Sequence, residues 1–161
     1  MVKNQINHLK NRYPTVSKRS QLRSALRQLR QSLSPEQQSL AAEKLLDHIL
    51  EDDDFEKASS IAFYQAFDGE INPTPVLQAS LKQGKHTFLP IISPAATSLT
   101  FLEYQSESSL TENSYGILEP ESSPNNVLAP EHMDIIFIPL VAFDLNGTRL
   151  GMGKGYYDKS L

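Results

Sequence analysis

The chain has 161 residues, 39% of them hydrophobic and 21% charged, with a formal net charge of −4, which is length enough for one domain with a buried core. No apolar stretch approaches the ~20 residues that cross a bilayer, and the absence of cysteine excludes disulfides and thiolate metal sites. His8, His48, His86 and His132 show no ligand spacing, so surface or satisfied polar roles are expected for them.

The charge is unevenly spread. Met1 to Pro35 holds eight Lys/Arg and no acid, leaving seven basic and nineteen acidic residues for the remainder. Arg149, Lys154 and Lys159 fall near the carboxyl end. Positive charge therefore sits at both ends of an acidic body, a distribution that suits an anionic ligand gripped between them.

Residues 1–16 lack periodicity and contain Pro14, and read as a loose basic leader. A transit peptide is the competing reading, because the stretch is basic and acid-free. From Ser17 to Leu33, Leu22, Ala25, Leu26, Leu29 and Leu33 recur at helical spacing, predicting an amphipathic helix. Arg19, Arg23, Arg27 and Arg30 form a second ridge on it. Taken alone, such a ridge is a solvated face; nucleic-acid binding is a further reading, but no aromatic platform accompanies it.

Ser34-Pro35-Glu36-Gln37 has the form of a helix start with a capping box. Leu40, Ala41, Leu45, Ile49 and Leu50 predict its buried stripe, ended by the acidic break from Glu51 to Asp54, which reads as a solvated helix end. Ser60–Phe67 predicts a strand, followed by Asp68, Gly69 and Glu70, where an open α/β sheet usually holds ligands. Asn72-Pro73 opens another helix with Val76, Leu77 and Leu81 buried and Gly84 as its stop. Further strands are expected at His86–Ile92, closed by Ser93-Pro94, and at Leu99–Tyr104. Gln105–Asn113 reads as a surface connection and Pro124–Pro130 as linker-like. Asp134–Leu140 is nearly all apolar, as a strand covered on both faces would be, with Pro139 marking where the ladder stops. No internal repeat is present. Strands alternating with helices predict an α/β layered, largely parallel open sheet flanked by helices.

Asn146-Gly147 gives a two-residue hairpin signal, and the segment after it reads TRLGMGKGYYD. Glycines at Gly151, Gly153 and Gly155 let backbone N–H groups approach an anion. Arg149 and Lys154 add positive charge, and Asp158 is a carboxylate suited to a divalent cation beside a polyphosphate. A helix starting at Tyr156 would turn its first amides toward phosphates. The spacing is neither a Walker A loop nor the dinucleotide fingerprint. On spacing alone, a phosphate cradle and a glycine-rich hairpin exit that permits close packing both remain open.

The longer string PLVAFDLNGTRLGMGKGYYDKSL resembles the signature of the 5-formyltetrahydrofolate cyclo-ligase family: Pro, an apolar and a small residue, Phe-Asp, a turn glycine, then Arg-Leu-Gly-x-Gly-x-Gly-Tyr-Tyr-Asp. The resemblance covers most of the chain from about Ser17, making 17–161 one cyclo-ligase-like domain. It implies a cytoplasmic enzyme using ATP and Mg²⁺ to convert 5-formyltetrahydrofolate into 5,10-methenyltetrahydrofolate, and a monomer with no nucleic-acid or membrane partner. Carried over position by position, it implies ATP contacts from Lys18, Arg19 and Arg23 on the first helix and from Arg149, Gly151, Gly153, Lys154, Gly155, Tyr157 and Asp158. Arg149 and Lys154 would be catalytic and Asp158 the metal ligand. Gln65, Glu70, Tyr156 and Glu119, the last within Gly116-Ile117-Leu118-Glu119-Pro120, would bind the folate. The family pattern continues with further secondary structure beyond the motif, whereas this sequence stops at Leu161. An inactive nucleotide- or folate-binding remnant is therefore the first rival expectation, and a nucleic-acid-binding protein using the basic first helix the second.

Overall fold

A computed structural model describes residues 18–92, 98–114, 116–120 and 126–161. The expected leader lies outside the described residues, as do Ser93-Pro94 and Tyr115. Helix α1 (Lys18–Gln31) leads to α2 (Pro35–Leu50), α3 (Asp53–Lys57) and β1 (Ser60–Ala62). Next come α4 (Thr74–Lys82), β2 (His86–Ile91), β3 (Thr100–Tyr104), β4 (Leu110–Glu112), β5 (Leu118–Pro120) and β6 (Val127–Leu128). A 3₁₀ turn at Pro130–His132 precedes β7 (Ile135–Ile136), β8 (Ala142–Phe143), β9 (Arg149–Leu150) and α5 (Tyr156–Ser160).

The main sheet has five strands in the order β6-β3-β2-β1-β7. β1 pairs in parallel with both β2 and β7, while β3 runs antiparallel to β2 and to β6. Four of the five strands thus share one direction and β3 alone opposes them, the layered and largely parallel sheet expected. β1, α4 and β2 make one βαβ unit, since parallel neighbours need a crossover.

Side-chain alternation divides the core between the two faces of the sheet. Ile61, Phe63 and Leu89 pack with Val76 and Leu77 of α4 and with Leu45, Leu46 and Ile49 of α2. Ala62, Phe88 and Phe101 point the other way, toward Leu128, Met133 and Tyr156 and Tyr157 of α5. Phe63 stacks on Phe137 with ring centroids 4.9 Å apart, a contact worth about 1 kcal/mol beyond its buried area.

Local chemistry sets the helix starts. Ser34 accepts from Gln37 N–H while the Gln37 side chain accepts from Ser34 N–H, a complete capping box. Asn72 Oδ1 accepts from Thr74 N–H at 3.0 Å, opening α4. The buried stripe of α2 is rotated from expectation: Ala42 is buried and Leu45, Leu46 and Ile49 pack on the core, but Leu40 and Leu50 are exposed. The acidic break is a short helix, because Asp52 caps α3 by accepting from the N–H groups of Asp54 and Phe55.

Several strands are shorter than their apolar runs. β1 ends at Ala62 and β7 at Ile136, although Phe63 N–H still donates to Phe88 and Phe137 N–H to Ala62. Residues 135–140 are half-buried, so this run is not covered on both faces as expected. Two connections contain strands instead: β4 lies in the expected surface loop and β6 in the linker-like stretch. The hairpin β8–β9 has a three-residue loop, with Asp144 N–H donating to Thr148 and Gly147 N–H to Asp144, rather than the two-residue turn expected. Gly147 at φ 79° takes the left-handed position that this loop type requires.

Candidate active site

The parallel strands β1, β2 and β7 all deliver residues to one cavity at their carboxyl ends. β1 lies between β2, the next strand in the chain, and β7, which pairs at the sheet's other edge only after the chain has passed through β3 and β6. Open α/β sheets hold ligands in a crevice outside the carboxyl ends of such parallel strands. Tyr64, Gln65 and Phe67 follow β1 into it, Ile92 follows β2, and Ile138 and Pro139 follow β7. The cavity measures about 590 Å³.

Its polar wall comes from the two ends of the sequence. Arg19, Arg23 and Arg27 enter from α1, and Arg149 to Asp158 enclose the opposite side. Arg23 Nε donates to the Gly151 carbonyl at 2.7 Å. The Arg23 guanidinium also lies against Gly153, where an added Cβ would stand 3.6 Å from Cζ. Gly153 has φ 101°, a conformation that L side chains rarely adopt. Arg149 donates to Asp158 at 2.9 Å in an exposed pair, while Lys154 is exposed at the rim. The backbone between them bends back through α5, fixed where Leu99 N–H donates to Ser160 Oγ at 2.7 Å.

The wall below Gln65 is different in character. Glu70 is buried; its Oε2 accepts from Phe67 N–H at 3.3 Å, and its Oε1 stands 3.5 Å from Arg30. Burial pushes the Glu70 carboxyl up from its ordinary value, against the smaller opposing pull of the Phe67 N–H and Arg30. Burial likewise raises the Tyr64 and Tyr157 hydroxyls. Tyr64 donates to Ile71 O at 2.8 Å. This part of the cavity is an apolar enclosure with one buried acid, the kind of lining that holds a ring system by shape and fixes its orientation with few polar groups.

Twelve of the fourteen expected site residues line this one cavity: Arg19, Arg23, Gln65, Glu70, Arg149, Gly151, Gly153, Lys154, Gly155, Tyr156, Tyr157 and Asp158. Lys18 is not among its lining residues. Nor is Glu119, which is buried and accepts from Ile92 N–H at 2.9 Å and from Asn113 Nδ2 at 2.7 Å. It ties the cavity-lining backbone at Ile92 to the β4–β5 turn. Arg27, Tyr64 and Phe67 also line the cavity beyond the residues singled out from sequence. For Arg27 the signal was present, four residues after Arg23 on the same ridge.

The donor chemistry around Asp158 fits Mg²⁺. One exposed carboxylate beside the glycine segment suits an ion that takes one or two carboxylates and fills its remaining positions with ligand oxygens and water. No group of three or more His, Asp or Glu that would form an all-protein metal cage exists among the described residues.

The 5-formyltetrahydrofolate cyclo-ligase family model matches residues 15–161. A Haemophilus influenzae protein named 5-formyltetrahydrofolate cyclo-ligase is 40% identical over 145 residues, covering 89% of this chain and 78% of that protein. The Escherichia coli K12 protein of the same name is 40% identical over 105 residues, or 65% of this chain and 58% of its own length. Among solved structures, Aquifex aeolicus 5,10-methenyltetrahydrofolate synthetase superposes with a TM-score of 0.77 at 34% identity, covering 89% of this chain and 71% of that one. A cavity at the carboxyl ends of the parallel strands, walled by the signature glycines, thus coincides with a family match across nearly the whole chain. The chain belongs to the 5-formyltetrahydrofolate cyclo-ligase family, whose enzymes form a carbon–nitrogen bond.

Proposed function

We propose that this cavity converts 5-formyltetrahydrofolate to 5,10-methenyltetrahydrofolate at the expense of ATP. The observation that carries the reading is the convergence of Arg19 and Arg23 with Arg149 and Lys154 on one cavity whose inner part encloses the buried Glu70. The formyl oxygen attacks the γ-phosphorus and ADP departs. The second folate nitrogen then attacks the activated formyl carbon, closing the ring, and inorganic phosphate leaves.

Phosphoryl transfer of this kind depends on positioning and on neutralising charge more than on acid–base groups. Arg149 and Lys154 balance the triphosphate from the glycine segment, and Arg19 and Arg23 close on it from α1. The amides of Gly151, Gly153 and Gly155 approach the phosphate oxygens without a Cβ in the way. Mg²⁺, when bound, supplies further neutralisation of the phosphates, and Asp158 would hold it once Arg149 turns to the nucleotide. Gln65, Tyr156 and Glu70 line the pterin side, where the buried Glu70 hydrogen-bonds the ring. Lys18 immediately precedes Arg19 without lining the cavity, and Glu119 acts through the backbone at Ile92.

The reading places the protein in the cytoplasm as a monomer; no described helix is long and apolar enough to cross a membrane. The decisive experiment follows absorbance of the methenyl product with purified chain and 5-formyltetrahydrofolate, with and without ATP. ATP-dependent product formation is expected. Calorimetric ATP binding without product would instead identify a nucleotide-binding remnant. Steeply salt-dependent nucleic-acid binding, lost on removing residues 1–33, would point to the basic first helix as a nucleic-acid contact.

A further inference from the structure

α1 is anchored in an unusual way. None of its fourteen residues is buried, and Leu22 and Leu29 of the expected apolar stripe are 51% and 64% exposed. The helix is tied to the domain instead by polar side chains, and four of those bonds end on one residue. Arg27 Nε donates to Asp68 Oδ2 at 2.6 Å and Arg30 Nη2 to the same oxygen at 2.8 Å. Gln31 donates to Oδ1, and Arg30 Nε donates to the Asp68 carbonyl at 2.9 Å.

The backbone at Asp68 is set for this. It is the one non-glycine residue with positive φ among those described, at 57°, a conformation that costs about 1 kcal/mol and that Asp tolerates better than most. Gly69 follows in close contact, its missing Cβ position lying 3.2 Å from the Arg30 carbonyl oxygen. Gln38 Nε2 bridges the carbonyls of Arg30 and Gly69, each at 3.2 Å. The turn therefore presents both its carboxylate and its carbonyl to the end of α1, and strain is tolerated where it makes that presentation possible.

The consequence is a division of the ridge. Arg27 and Arg30 both bond Asp68, and Arg30 also donates to the Leu140 carbonyl at 3.3 Å and to Met152 Sδ at 4.0 Å. Arg23 donates only to the Gly151 carbonyl, and Arg19 has no hydrogen-bond or ion-pair partner among the described residues although it lines the cavity. We propose that Asp68 is a positioning residue: its carboxylate locks the Arg27–Arg30 half of the ridge and thereby aims the Arg19–Arg23 half at the nucleotide, which Asp68 itself does not touch. The proposal rests on the functional reading above, because the aimed pair is assigned there to ATP.

The test is Asp68→Asn in the full chain, since asparagine keeps the shape and the tolerance for positive φ but removes the charge. Hydrogen exchange without ligands should accelerate about ten-fold over residues 18–31 and stay unchanged over α4, the scale expected when charge-assisted bonds become neutral ones. Calorimetry and kinetics should show Kd and KM for ATP rising about ten-fold, with KM for the folate and kcat held within about two-fold. Arg27→Lys, which keeps a cation beside Asp68, should fall between wild type and Asp68→Asn in ATP affinity. Wild-type exchange and wild-type ATP affinity in Asp68→Asn would overturn the proposal. So would a loosened α1 with unchanged ATP affinity, or an equal loss for both substrates with faster exchange throughout. If Asp68→Asn fails to fold, Gln31→Ala, which removes a donor to Asp68 from a residue outside the cavity lining, is judged by the same outcomes. Failure of the functional reading looks different: the wild-type chain itself would neither bind ATP nor form product.

Discussion

The Nε of Arg23 reaches the carbonyl of Gly151 at 2.7 Å across 128 residues of sequence, joining the first helix to the glycine segment at the mouth of the cavity. The same guanidinium occupies the space over Gly153. Gly153→Ala therefore strains a backbone at φ 101° and sets a methyl in van der Waals contact with Arg23. The substitution should cost about 1–2 kcal/mol of stability and raise Kd for ATP about ten-fold. Calorimetry and thermal melts read both; unchanged values in the two would show that the positive φ at Gly153 matters to neither.

Lys154 is exposed at the rim and supports no packing, so Lys154→Ala should leave the melting temperature within about 2 °C of wild type. Turnover should fall by at least about a hundred-fold, because charge neutralisation at the transferring phosphoryl group is the main catalytic demand. Product absorbance checks this, and near-normal activity would remove Lys154 from the chemistry.

Asp158 is paired with Arg149 at 2.9 Å with its own side chain 69% exposed. An exposed pair contributes little to stability, so Asp158→Asn should fold as wild type. Its half-saturating Mg²⁺ concentration for turnover should rise about ten-fold. A magnesium titration at saturating ATP decides the matter, and an unshifted midpoint would place the ion elsewhere.

Glu70 should separate stability from function. Burial is the largest influence on its carboxyl and raises its pKa, so the ionised form is disfavoured in the fold. Glu70→Gln keeps an acceptor for Phe67 N–H and removes the buried charge. The melting temperature at neutral pH should rise by about 2 °C, while KM for 5-formyltetrahydrofolate rises about ten-fold. A variant both less stable and unchanged in KM would contradict both halves.

The acid limb of stability should be governed in part by Asp68. Hydrogen bonds from Arg27, then Arg30 and Gln31, hold its carboxyl at about 2 against the cost of burial, below the ~3.9 of an unfolded aspartate. A depressed folded-state value contributes stability that is present above ~3.9 and is lost as pH falls through about 2. The gap in melting temperature between wild type and Asp68→Asn should accordingly narrow as pH is lowered from 4 to 2. A gap that stays constant over that interval would mean the carboxylate is not held in this network.

Local chemistry made part of this molecule legible before any folding. The capping box at Ser34, the start of α4 at Asn72, the alternation through Ile61, Ala62 and Phe63, and the glycine spacing from Gly151 to Gly155 all act over a few residues, so their signals lie side by side in the chain. The family likeness and the charge at both termini belong to the same class of information. Strands of two or three residues such as β4 and β6 have no room for a period, and partners elsewhere define them: β6 exists because Phe101 and Leu102 lie beside it. The helix α1 shows the limit most plainly. Its leucine stripe and its arginine ridge have the same periodicity, and nothing within residues 17–33 says which face turns inward. Asp68 decides it, from 38 residues beyond Arg30, because a charge-assisted bond forms wherever folding brings the two groups together. Which arginines stay open to the cavity, and why Glu119 supports the cavity backbone rather than lining the cavity, follow from such distant pairings and from the sheet that brings them into register.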